Sequence, residues 1–584
     1  MSRRRVEEVA LVAWSVLLAA VTLGPALAPG ALELRDMVWV PDLRLSGDAL
    51  GFGSGLPRAV PSDAVVAVLD EAVRGELLQR LVLFCGLAGG GLGVARLLGP
   101  AAATVARFAA VTLYVWNAWV LERLLMGQWP VLVGCAVLPW VVLGTRDWAG
   151  RRRLSPFLLV LLPLGSLSAS AGLVTAVGLL LSLHDAGRRR LGGALLLVVA
   201  ANAPWIASGL LHAADATSDP RAAEVFALHR EGGVPAPLAA LTLGGIWNAD
   251  VVPLERTGLL GWAALVVLCG LAAAGAGVWW RRTSSPLRTA LVGCWCVGAG
   301  LALLTWAAPG VVGWAAAHVP GAGVIRDGAR PLVLCAPLLA VLVGSGVELV
   351  LRRLQGPPRV VLAVAAVLLP VALLPSLAWG AGGSLRPTTL PAAYAEARDL
   401  LADGQGDVLL LPLSSYRAPV WNGGRPVLDP LARYLARDPG SSVVASDVLV
   451  VDGVPLAGED PRVASAAGAL AATSPELRAR GLAAIGIGAV VTDLAAPGAE
   501  RAPAVAGDVL LDGTGPSEGL RVVSLHHVQV REVPIAWVVV MGLAWVLFLA
   551  LPVGSVALVA VRRGAWWRGR RPPRRGVRER PRDV

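Results

Sequence analysis

The sequence predicts an α-helical polytopic membrane protein of about 12 transmembrane helices, with a small extracytoplasmic α/β domain before the last helix. Two observations carry this prediction. Apolar runs of membrane-spanning length recur along most of the chain. The composition agrees, since 56% of the 584 residues are hydrophobic and only 16% are charged. An average soluble domain has about a quarter charged residues.

The apolar runs and the arginines between them predict the topology. The predicted segments are 8–29, 77–97, 102–122, 129–146, 155–170, 171–185, 191–212, 257–280, 288–308, 331–352, 359–379 and 534–561. With these segments, the arginine-rich runs at 3–5, 151–153 and 188–190 and in the tail all fall on one side. Basic loops stay in the cytoplasm, so both termini are predicted to be cytoplasmic. The first run resembles a signal peptide, but its length and the lack of a clean cleavage site favour a retained helix.

The net charge of +11 comes from arginine alone, because the chain contains no lysine. The arginines cluster between apolar runs, which indicates topology rather than nucleic-acid binding. The six cysteines all lie in apolar stretches and are predicted to be buried small hydrophobic residues. Cys294 and Cys296 form a CxC pair, but neither a histidine nor a second cysteine pair lies near it, which disfavours a metal site.

The chain divides into four predicted parts. Residues 1–379 form the transmembrane domain, including an acidic first outer loop at 30–76. Residues 380–533 form the extracytoplasmic domain, because "GDVLLLPL" and "AAIGIGAVVTD" are typical of strands and alternate with a helical stretch. Residues 534–561 are the last transmembrane helix, and 562–584 form a basic cytoplasmic tail near anionic lipid.

The first outer loop contains the candidate catalytic residues. The stretch "ALELRDMVWVPDLRL" carries Asp36 and Asp42, with Arg35 and Arg44 beside them. A carboxylate at the membrane–water boundary can take a proton from an acceptor hydroxyl, or hold a divalent cation against a phosphate. The alternative is that both aspartates are ordinary loop acids paired with the neighbouring arginines.

Two other groups of charged residues lie at the outer ends of helices. Glu122 and Arg123 occur in "WNAWVLERLLMGQW", and ionisable residues at membrane depth indicate function by default. Arg326, Asp327 and Arg330 occur in "VIRDGARP", where two outer arginines are suited to a lipid phosphate. The alternatives are an intrahelical pair in the first group and arginines that simply pair with Asp327 in the second.

A further segment, "YRAPVWNGGRPVLDP", mixes aromatic and hydrogen-bonding side chains such as Tyr416, Trp421 and Asn422. Such a mixture is typical of a carbohydrate-facing surface and equally of a contact between a domain and its membrane part. The chain has no P-loop, no G-x-S-x-G elbow and no H-E-x-x-H motif.

These features together resemble the GT-C superfamily of integral-membrane glycosyltransferases. The pair "RDMVWVPD" and "GLPRAVPSD" resembles the first loop of actinobacterial α-(1→3)-arabinofuranosyltransferases. The block "WNAWVLERLLMGQWPVLVGCAVLPW" resembles a recurrent GT-C segment, and with "RPVLDP" the combination also resembles YfhO-like membrane proteins. The resemblance covers residues 1–380 as architecture and three short blocks as sequence.

The resemblance implies an inverting glycosyltransferase of the bacterial plasma membrane that acts in cell-wall biogenesis. Its expected partners are a polyprenyl-phosphate-linked sugar donor, with arabinofuranose as the candidate sugar, a glycan or glycolipid acceptor, and the lipid bilayer. A donor already carried by a lipid explains why no nucleotide motif is needed. Nucleic acid is not an expected partner.

The resemblance also implies roles for residues. Asp36, or Asp42, would deprotonate the acceptor hydroxyl, and Arg326 and Arg330 would neutralise the departing phosphate, with Mg²⁺ or Mn²⁺ as an optional aid. The substrate-binding candidates are Arg35, Glu122, Arg123, Arg326, Asp327 and Arg330. Two rival functions stay open: a lipid or glycan transporter, and a non-catalytic scaffold for envelope assembly. The absence of related halves disfavours the transporter.

Overall fold

The computed structural model describes residues 3–53, 55, 58–213, 219–437, 441–451, 453–458, 460–513 and 519–569. Within these residues, nine helical segments are long and apolar enough to cross a membrane. The chain is therefore a multi-pass membrane protein, and the predicted fold class is confirmed. Most of the basic tail predicted at 562–584 lies outside the described residues.

Within the described residues, the membrane part has one span near the C-terminal end, Ile535–Arg563, and twelve helices before residue 380. They are α1 (Arg3–Leu23), α2 (Gly75–Leu98), α3 (Thr104–Val115), α4 (Ala118–Leu125), α5 (Trp129–Arg151), α6 (Pro156–Leu164), α7 (Ala169–Leu181), α8 (Arg188–Leu211), α9 (Leu259–Arg282), α10 (Ser285–Ala307), α11 (Ala336–Leu351) and α12 (Gly356–Leu373). Shorter helices in the connections include Ser62–Asp70, Ala236–Leu241 and Pro309–His318. Three predicted membrane segments correspond to helices shorter than a full crossing: α6, α7 and α11.

The predicted segment 102–122 is broken into α3 and α4, which together form one span, Thr104–Leu125. Asn117 causes the break. Its side-chain oxygen accepts a hydrogen bond from the backbone N–H of Val120 (3.0 Å), while its amide nitrogen donates to the carbonyls of Leu113 and Tyr114. An asparagine at a helix N-cap satisfies free backbone donors and starts a new helix. The break determines the direction in which the side chains of α4 project.

The C-terminal third contains most of the strands. They are β1 (Ala31–Leu32), β2 (Pro387–Thr388), β3 (Asp407–Leu411), β4 (Tyr416–Arg417), β5 (Val427–Leu428), β6 (Val443–Val444), β7 (Leu449–Val451), β8 (Val454–Leu456), β9 (Ile487–Asp493), β10 (Asp508–Asp512) and β11 (Leu520–Ser524). The associated helices are α13 (Ala392–Leu401), α14 (Pro461–Leu470) and α15 (Pro475–Ala484), followed by α16 (Ile535–Gly569).

The main sheet has the strand order β10-β11-β9-β3-β6. β3 runs parallel to β6 and β9, whereas β11 runs antiparallel to β9 and β10. Apolar residues of β3 and β9 pack against α14 and α15 in one buried cluster. The predicted strands "GDVLLLPL" and "AAIGIGAVVTD" correspond to β3 and β9, as expected for buried strands that alternate with helices.

Backbone pairing joins the first outer loop to the chain beyond residue 380. β1 pairs antiparallel with β2, and the Gln79 side chain of α2 makes two 2.9 Å hydrogen bonds to the backbone of Leu32. Further along the loop, the N–H of Arg35 donates to the carbonyl of Pro426 (2.7 Å), and the N–H of Leu428 donates to the carbonyl of Arg35 (2.9 Å). The loop is therefore fixed between α2 and the β4–β5 hairpin.

Gly127, in the turn between α4 and α5, lies against the backbone of the same loop. Its φ is +75°, and a Cβ there would lie 2.1 Å from the backbone nitrogen of Met37 and 2.4 Å from the carbonyl oxygen of Leu34. Gly321 has a similar φ of +80° in the left-handed region, but a Cβ there would meet no atom within 4 Å. Alanine substitutions at the two glycines therefore distinguish the cost of a positive φ from the cost of a close backbone contact.

We expect Gly127→Ala to destabilise the protein far more than Gly321→Ala. Both alanines would have a left-handed φ, which costs about 1–2 kcal/mol, but only the one at position 127 would push the first loop away. Thermal unfolding of the two variants in detergent, together with the yield of monodisperse protein, measures the difference. Equal losses for the two variants would contradict the close approach.

Candidate functional site

The carboxylate of Asp36 lies where the first loop, the α4–α5 turn and the β4–β5 hairpin meet. Its backbone N–H donates to the carbonyl of Met126 (3.0 Å). One carboxylate oxygen accepts a hydrogen bond from the Gln128 amide (3.2 Å), and the other accepts one from the hydroxyl of Tyr416. Burial raises the pKa of Tyr416 well above its ordinary value, so this hydroxyl stays protonated and acts as donor.

Gln128 connects Asp36 to a buried ion pair. Its amide oxygen accepts a hydrogen bond from Arg123 (2.8 Å), and Arg123 lies 3.2 Å from a carboxylate oxygen of Asp327. The Arg123 side chain is 0% exposed and that of Asp327 is 4% exposed. The sequence left an intrahelical Glu122–Arg123 pair open, but Arg123 pairs with Asp327 instead.

Asp327 is held from several directions. Its carboxylate accepts hydrogen bonds from the backbone N–H groups of Ala329 (3.1 Å) and Arg330 (3.0 Å), and the Arg330 Nε lies 3.0 Å away. Burial acts to raise the pKa of Asp327, but Arg123 and Arg330 outweigh it and lower that pKa. The residues Tyr416, Asp36, Gln128, Arg123, Asp327 and Arg330 thus form a continuous chain of polar contacts, the Asp36 network.

The two predicted catalytic aspartates differ in environment. The side chain of Asp42 is 74% exposed and lies 3.2 Å from Arg398, so the structure does not bring it to the Asp36 network. Arg35 donates to the carbonyl of Leu125 (3.1 Å) and lies 3.9 Å from Asp250. The described ion pairs join Arg35 to Asp250 and Asp42 to Arg398. This geometry disfavours the alternative in which Arg35 and Arg44 pair with the two aspartates.

The two arginines expected to act together on a phosphate also lie in different surroundings. Arg330 belongs to the Asp36 network. The guanidinium of Arg326 lies 5.1 Å from the ring centroid of Phe226 and lines a small pocket with Arg58 and Asp447. Arg326 therefore borders a different part of the surface.

Glu122 is fully buried and projects from α4 toward the segment that precedes α9. Within the part of the chain that the structure describes, neither of its carboxylate oxygens has a hydrogen-bond donor. The neighbouring carboxylate of Glu231 interacts with it electrostatically. Glu231 itself lies 2.5 Å from Arg256 and accepts a hydrogen bond from the N–H of Gly245 (2.8 Å). Sequence reasoning missed Glu231, because it is more than a hundred residues away along the chain.

Sequence reasoning also missed Gln128, Glu33 and the role of Tyr416. A polar side chain at 128 within the apolar tract "LLMGQWPVLV" was a signal that could have identified the first of these. Glu33 was detectable as a third carboxylate of the first loop. Tyr416 was noted only as part of a mixed surface, and nothing local in the sequence connects it with Asp36.

The described residues do not provide a cation site of three converging acidic, histidine or cysteine side chains. At Asp36 a single carboxylate, bound by two protein donors, faces the site. Within the described residues, the optional Mg²⁺ or Mn²⁺ ion therefore finds no set of three such ligands there.

Comparison with known proteins supports the fold. No protein-family model matches the chain, and no curated protein matches it significantly in sequence. The cryo-EM structure of arabinofuranosyltransferase AftD from Mycobacteria is similar, with a TM-score of 0.52, 18% identity and coverage of 90% of this chain and 40% of that one. Its R1389S mutant gives a TM-score of 0.52 and 19% identity, covering 90% and 42% of the two chains.

A third structure, the archaeal oligosaccharyltransferase AglB from Archaeoglobus fulgidus, has a TM-score of 0.38 and 12% identity over 85% of this chain and 70% of that one. That similarity is too low to define a fold. This chain spans about 40% of the length of AftD. The likeness to AftD confirms the predicted resemblance in fold. At these identities it shows the fold alone.

Glu33 gives the site a pH-dependent stability. The side chain is 0% exposed, one carboxylate oxygen accepts the backbone N–H of Trp39 (3.0 Å), and the other has no partner among the described residues. Burial raises the pKa of Glu33 from 4.5 to about 8, against the opposing effects of the Trp39 N–H, Arg433 and Arg425. Because the folded-state pKa is raised, the protonated form stabilises the fold at low pH, and this contribution is lost as pH rises from 4.5 through about 8.

We expect Glu33→Gln to remove this loss. Relative to wild type, the free energy of unfolding of the variant should improve by about 2 kcal/mol between pH 6 and pH 8. A pH unit is worth about 1.4 kcal/mol well below the folded-state pKa and less as the pH approaches it. Denaturation in detergent at the two pH values measures it, with the exposed Glu396→Gln as control. If wild type and Glu33→Gln change in parallel between the two pH values, the buried-carboxyl account is wrong.

Proposed function

We propose that this chain is a membrane glycosyltransferase. It moves a sugar, with arabinofuranose as the candidate, from a polyprenyl-phosphate donor to a cell-envelope glycan or glycolipid on the extracytoplasmic side of the plasma membrane. The observation that carries the proposal is the position of Asp36, whose carboxylate is fixed at the junction of the first loop, the α4–α5 turn and the β4–β5 hairpin. The fold shared with the arabinofuranosyltransferase AftD supports it.

The reaction is a single inverting displacement. Asp36 accepts the proton of the acceptor hydroxyl while the oxygen of that hydroxyl bonds to the anomeric carbon of the donor sugar. The bond between that carbon and the phosphate oxygen breaks, and the polyprenyl phosphate leaves with the electron pair. Arg35 and Arg330 retain side-chain exposures of 13% and 32%, so they are the cations of the site that can meet the developing negative charge. Arg123 is fully enclosed and serves to hold Gln128 and Asp327.

The acceptor hydroxyl must reach a carboxylate that already binds two protein donors. Each carboxylate oxygen can accept a further hydrogen bond, so the question is on which side the acceptor approaches. The Gln128 amide is tied to the buried Arg123, whereas the Tyr416 hydroxyl is presented by the short β4–β5 hairpin. We propose that the acceptor hydroxyl takes the place of the Tyr416 hydroxyl on the carboxylate. The hairpin segment that the sequence identified as mixed aromatic and polar would then form part of the acceptor side of the site.

The two ends of α2 support the proposed orientation in the membrane. Near its C-terminal end, Arg107 and Arg96 lie 2.6 Å and 3.8 Å from Glu8, within the basic surface that the positive-inside rule places in the cytoplasm. At its N-terminal end, Gln79 binds the loop that carries Asp36. A helix of 24 residues is about 36 Å long, so we propose that Asp36 lies on the opposite, extracytoplasmic side.

One observation favours a second candidate, the non-catalytic scaffold for envelope assembly. Both carboxylate oxygens of Asp36 are engaged by protein donors, an arrangement that also suits a purely structural carboxylate. The scaffold and the enzyme make different predictions for the same variants.

The test is the transfer of radiolabelled sugar from polyprenyl-phosphate donors in membranes that contain wild type, Asp36→Asn or Asp42→Asn. The donors carry arabinose, mannose, glucose or galactose. Asparagine keeps the shape of the side chain but cannot accept the proton, so Asp36→Asn should lower the transfer rate by about 10²–10⁴-fold. Asp42→Asn is the matched control and should stay close to wild type, because Asp42 is exposed and apart from the network.

Protein level and thermal stability of both variants verify that folding is unchanged. Loss of transfer with Asp42→Asn instead of Asp36→Asn would move the base to the other aspartate. If wild type transfers no sugar from any of the four donors, the scaffold becomes the better account.

A further inference from the structure

Five charged side chains lie buried where α4 meets the chain segment that precedes α9. They are Glu122 and Arg123 on α4, Glu231 and Arg256 in the segment 228–257, and Asp327. Each of these residues is at most 5% exposed. Ionised groups in such surroundings need partners, because a charge without compensation is costly away from water.

Each of the two arginines already has a carboxylate partner. Arg123 lies 3.2 Å from Asp327, and Arg256 lies 2.5 Å from Glu231. Glu122 is the fifth charged residue, and the described ion pairs and hydrogen bonds provide no donor for either of its oxygens. An ionised Glu122 would therefore be a fully buried charge without a partner of its own.

The carboxyl groups of the two glutamates face each other. Glu231 is the hydrogen-bond neighbour of Glu122, and the charges of Arg123 and Arg256 also act on it. A third arginine, Arg330, lies on Asp327 instead, and its side chain is 32% exposed to water. Two ionised carboxylates in contact repel each other strongly away from water. One proton between them removes the repulsion and turns Glu122 into a donor.

Glu231 is the member of the pair that is built to stay ionised. One of its oxygens accepts the N–H of Gly245 (2.8 Å), and the other contacts Arg256, which also donates to the hydroxyl of Thr242 (2.9 Å). Each carboxylate oxygen can accept a further hydrogen bond. The proton therefore belongs on Glu122, from which it is donated to Glu231.

A proton fits this position better than a metal ion does. The pair supplies two carboxyl groups, and the described part of the chain contains no group of three acidic, histidine or cysteine side chains. Mg²⁺ and Ca²⁺ take about six or more oxygen ligands. The guanidinium groups of Arg123 and Arg256 would also repel a further cation. A proton needs only the two facing oxygens.

The segment 228–257 also reaches the candidate site. The amide of Asn248 lies 3.5 Å from the sulfur of Met126, and Asp250 lies 3.9 Å from Arg35. The carbonyl of Met126 accepts the N–H of Asp36. A bond between the two glutamates thus joins this segment to the helix whose end positions the Asp36 backbone.

We infer that Glu122 and Glu231 form a proton-binding site, in which one shared proton fastens the segment 228–257 to α4. Glu122 carries the proton and donates it to the carboxylate of Glu231. Sugar transfer plays no part in this site, so its tests are independent of the proposed glycosyltransferase.

The first test is infrared spectroscopy of the full chain in detergent, with isotope-labelled glutamate carboxyl groups. The label separates protonated glutamates from aspartates. All samples carry Glu33→Gln, because Glu33 is another buried glutamate. At about pH 9, where exposed glutamates are ionised, we expect a labelled acid band in this parent. Glu122→Gln should abolish the band, and the exposed control Glu396→Gln should keep it.

The result can overturn the shared proton in two ways. The parent could show no acid band, or the band could survive Glu122→Gln. Unfolding of Glu122→Gln would also contradict it, because a neutral amide keeps the size and the donor of a protonated carboxyl group.

The second test asks whether the proton fastens the segment. Glu122→Gln keeps a donor toward Glu231, whereas Glu122→Leu removes it. Hydrogen exchange of 228–257, followed by mass spectrometry, should be about tenfold faster in Glu122→Leu and unchanged in Glu122→Gln. Strand β9 serves as the internal reference. Equal exchange in the two variants would contradict the fastening, and so would an acceleration that extends equally to β9.

Discussion

The site depends on one desolvated ion pair, Arg123–Asp327. Removing two charges from water costs several kcal/mol per ion, and their mutual attraction offsets this cost only where further hydrogen bonds bind the remaining atoms. Here those bonds come from Gln128 on one side and from the backbone of Ala329 and Arg330 on the other. Loss of Asp327 would leave the charge of Arg123 buried without its carboxylate partner, and loss of Arg123 would leave Asp327 with Arg330 alone. The pair therefore holds α4 and the 326–330 segment in one relative position.

The position of the candidate base follows from this constraint. Arg123 orients the amide of Gln128, and the amide in turn orients the carboxylate of Asp36. The intervening turn can approach the first loop closely because Gly127 has no side chain to collide with Leu34 and Met37. The β4–β5 hairpin then closes the other side by pairing with the backbone of Arg35. Asp36 is thus placed by three segments that are distant along the chain.

Hydropathy and alternation sufficed to predict the helices and the α/β character of the C-terminal third, because both depend on local composition. Local spacing also identified Asp36, Arg123, Asp327 and Arg330 as unusual, since charged residues at membrane depth are costly. It could not tell which partner each would choose. Arg123 pairs with a residue 204 positions away rather than with its neighbour Glu122, and Tyr416 reaches Asp36 across 380 positions. Such pairings are properties of tertiary packing.

The same network limits where the proton of the proposed reaction can go. Gln128 is a neutral amide that donates to Asp36 and accepts from Arg123, so it cannot carry a proton from one to the other. Arginine stays charged at any physiological pH and offers no route either. A proton taken up by Asp36 therefore has no route through Gln128 and Arg123. The other carboxylate oxygen contacts Tyr416 on the β4–β5 hairpin, and the proposed reaction binds its acceptor and releases its proton on that side of the half-buried Asp36.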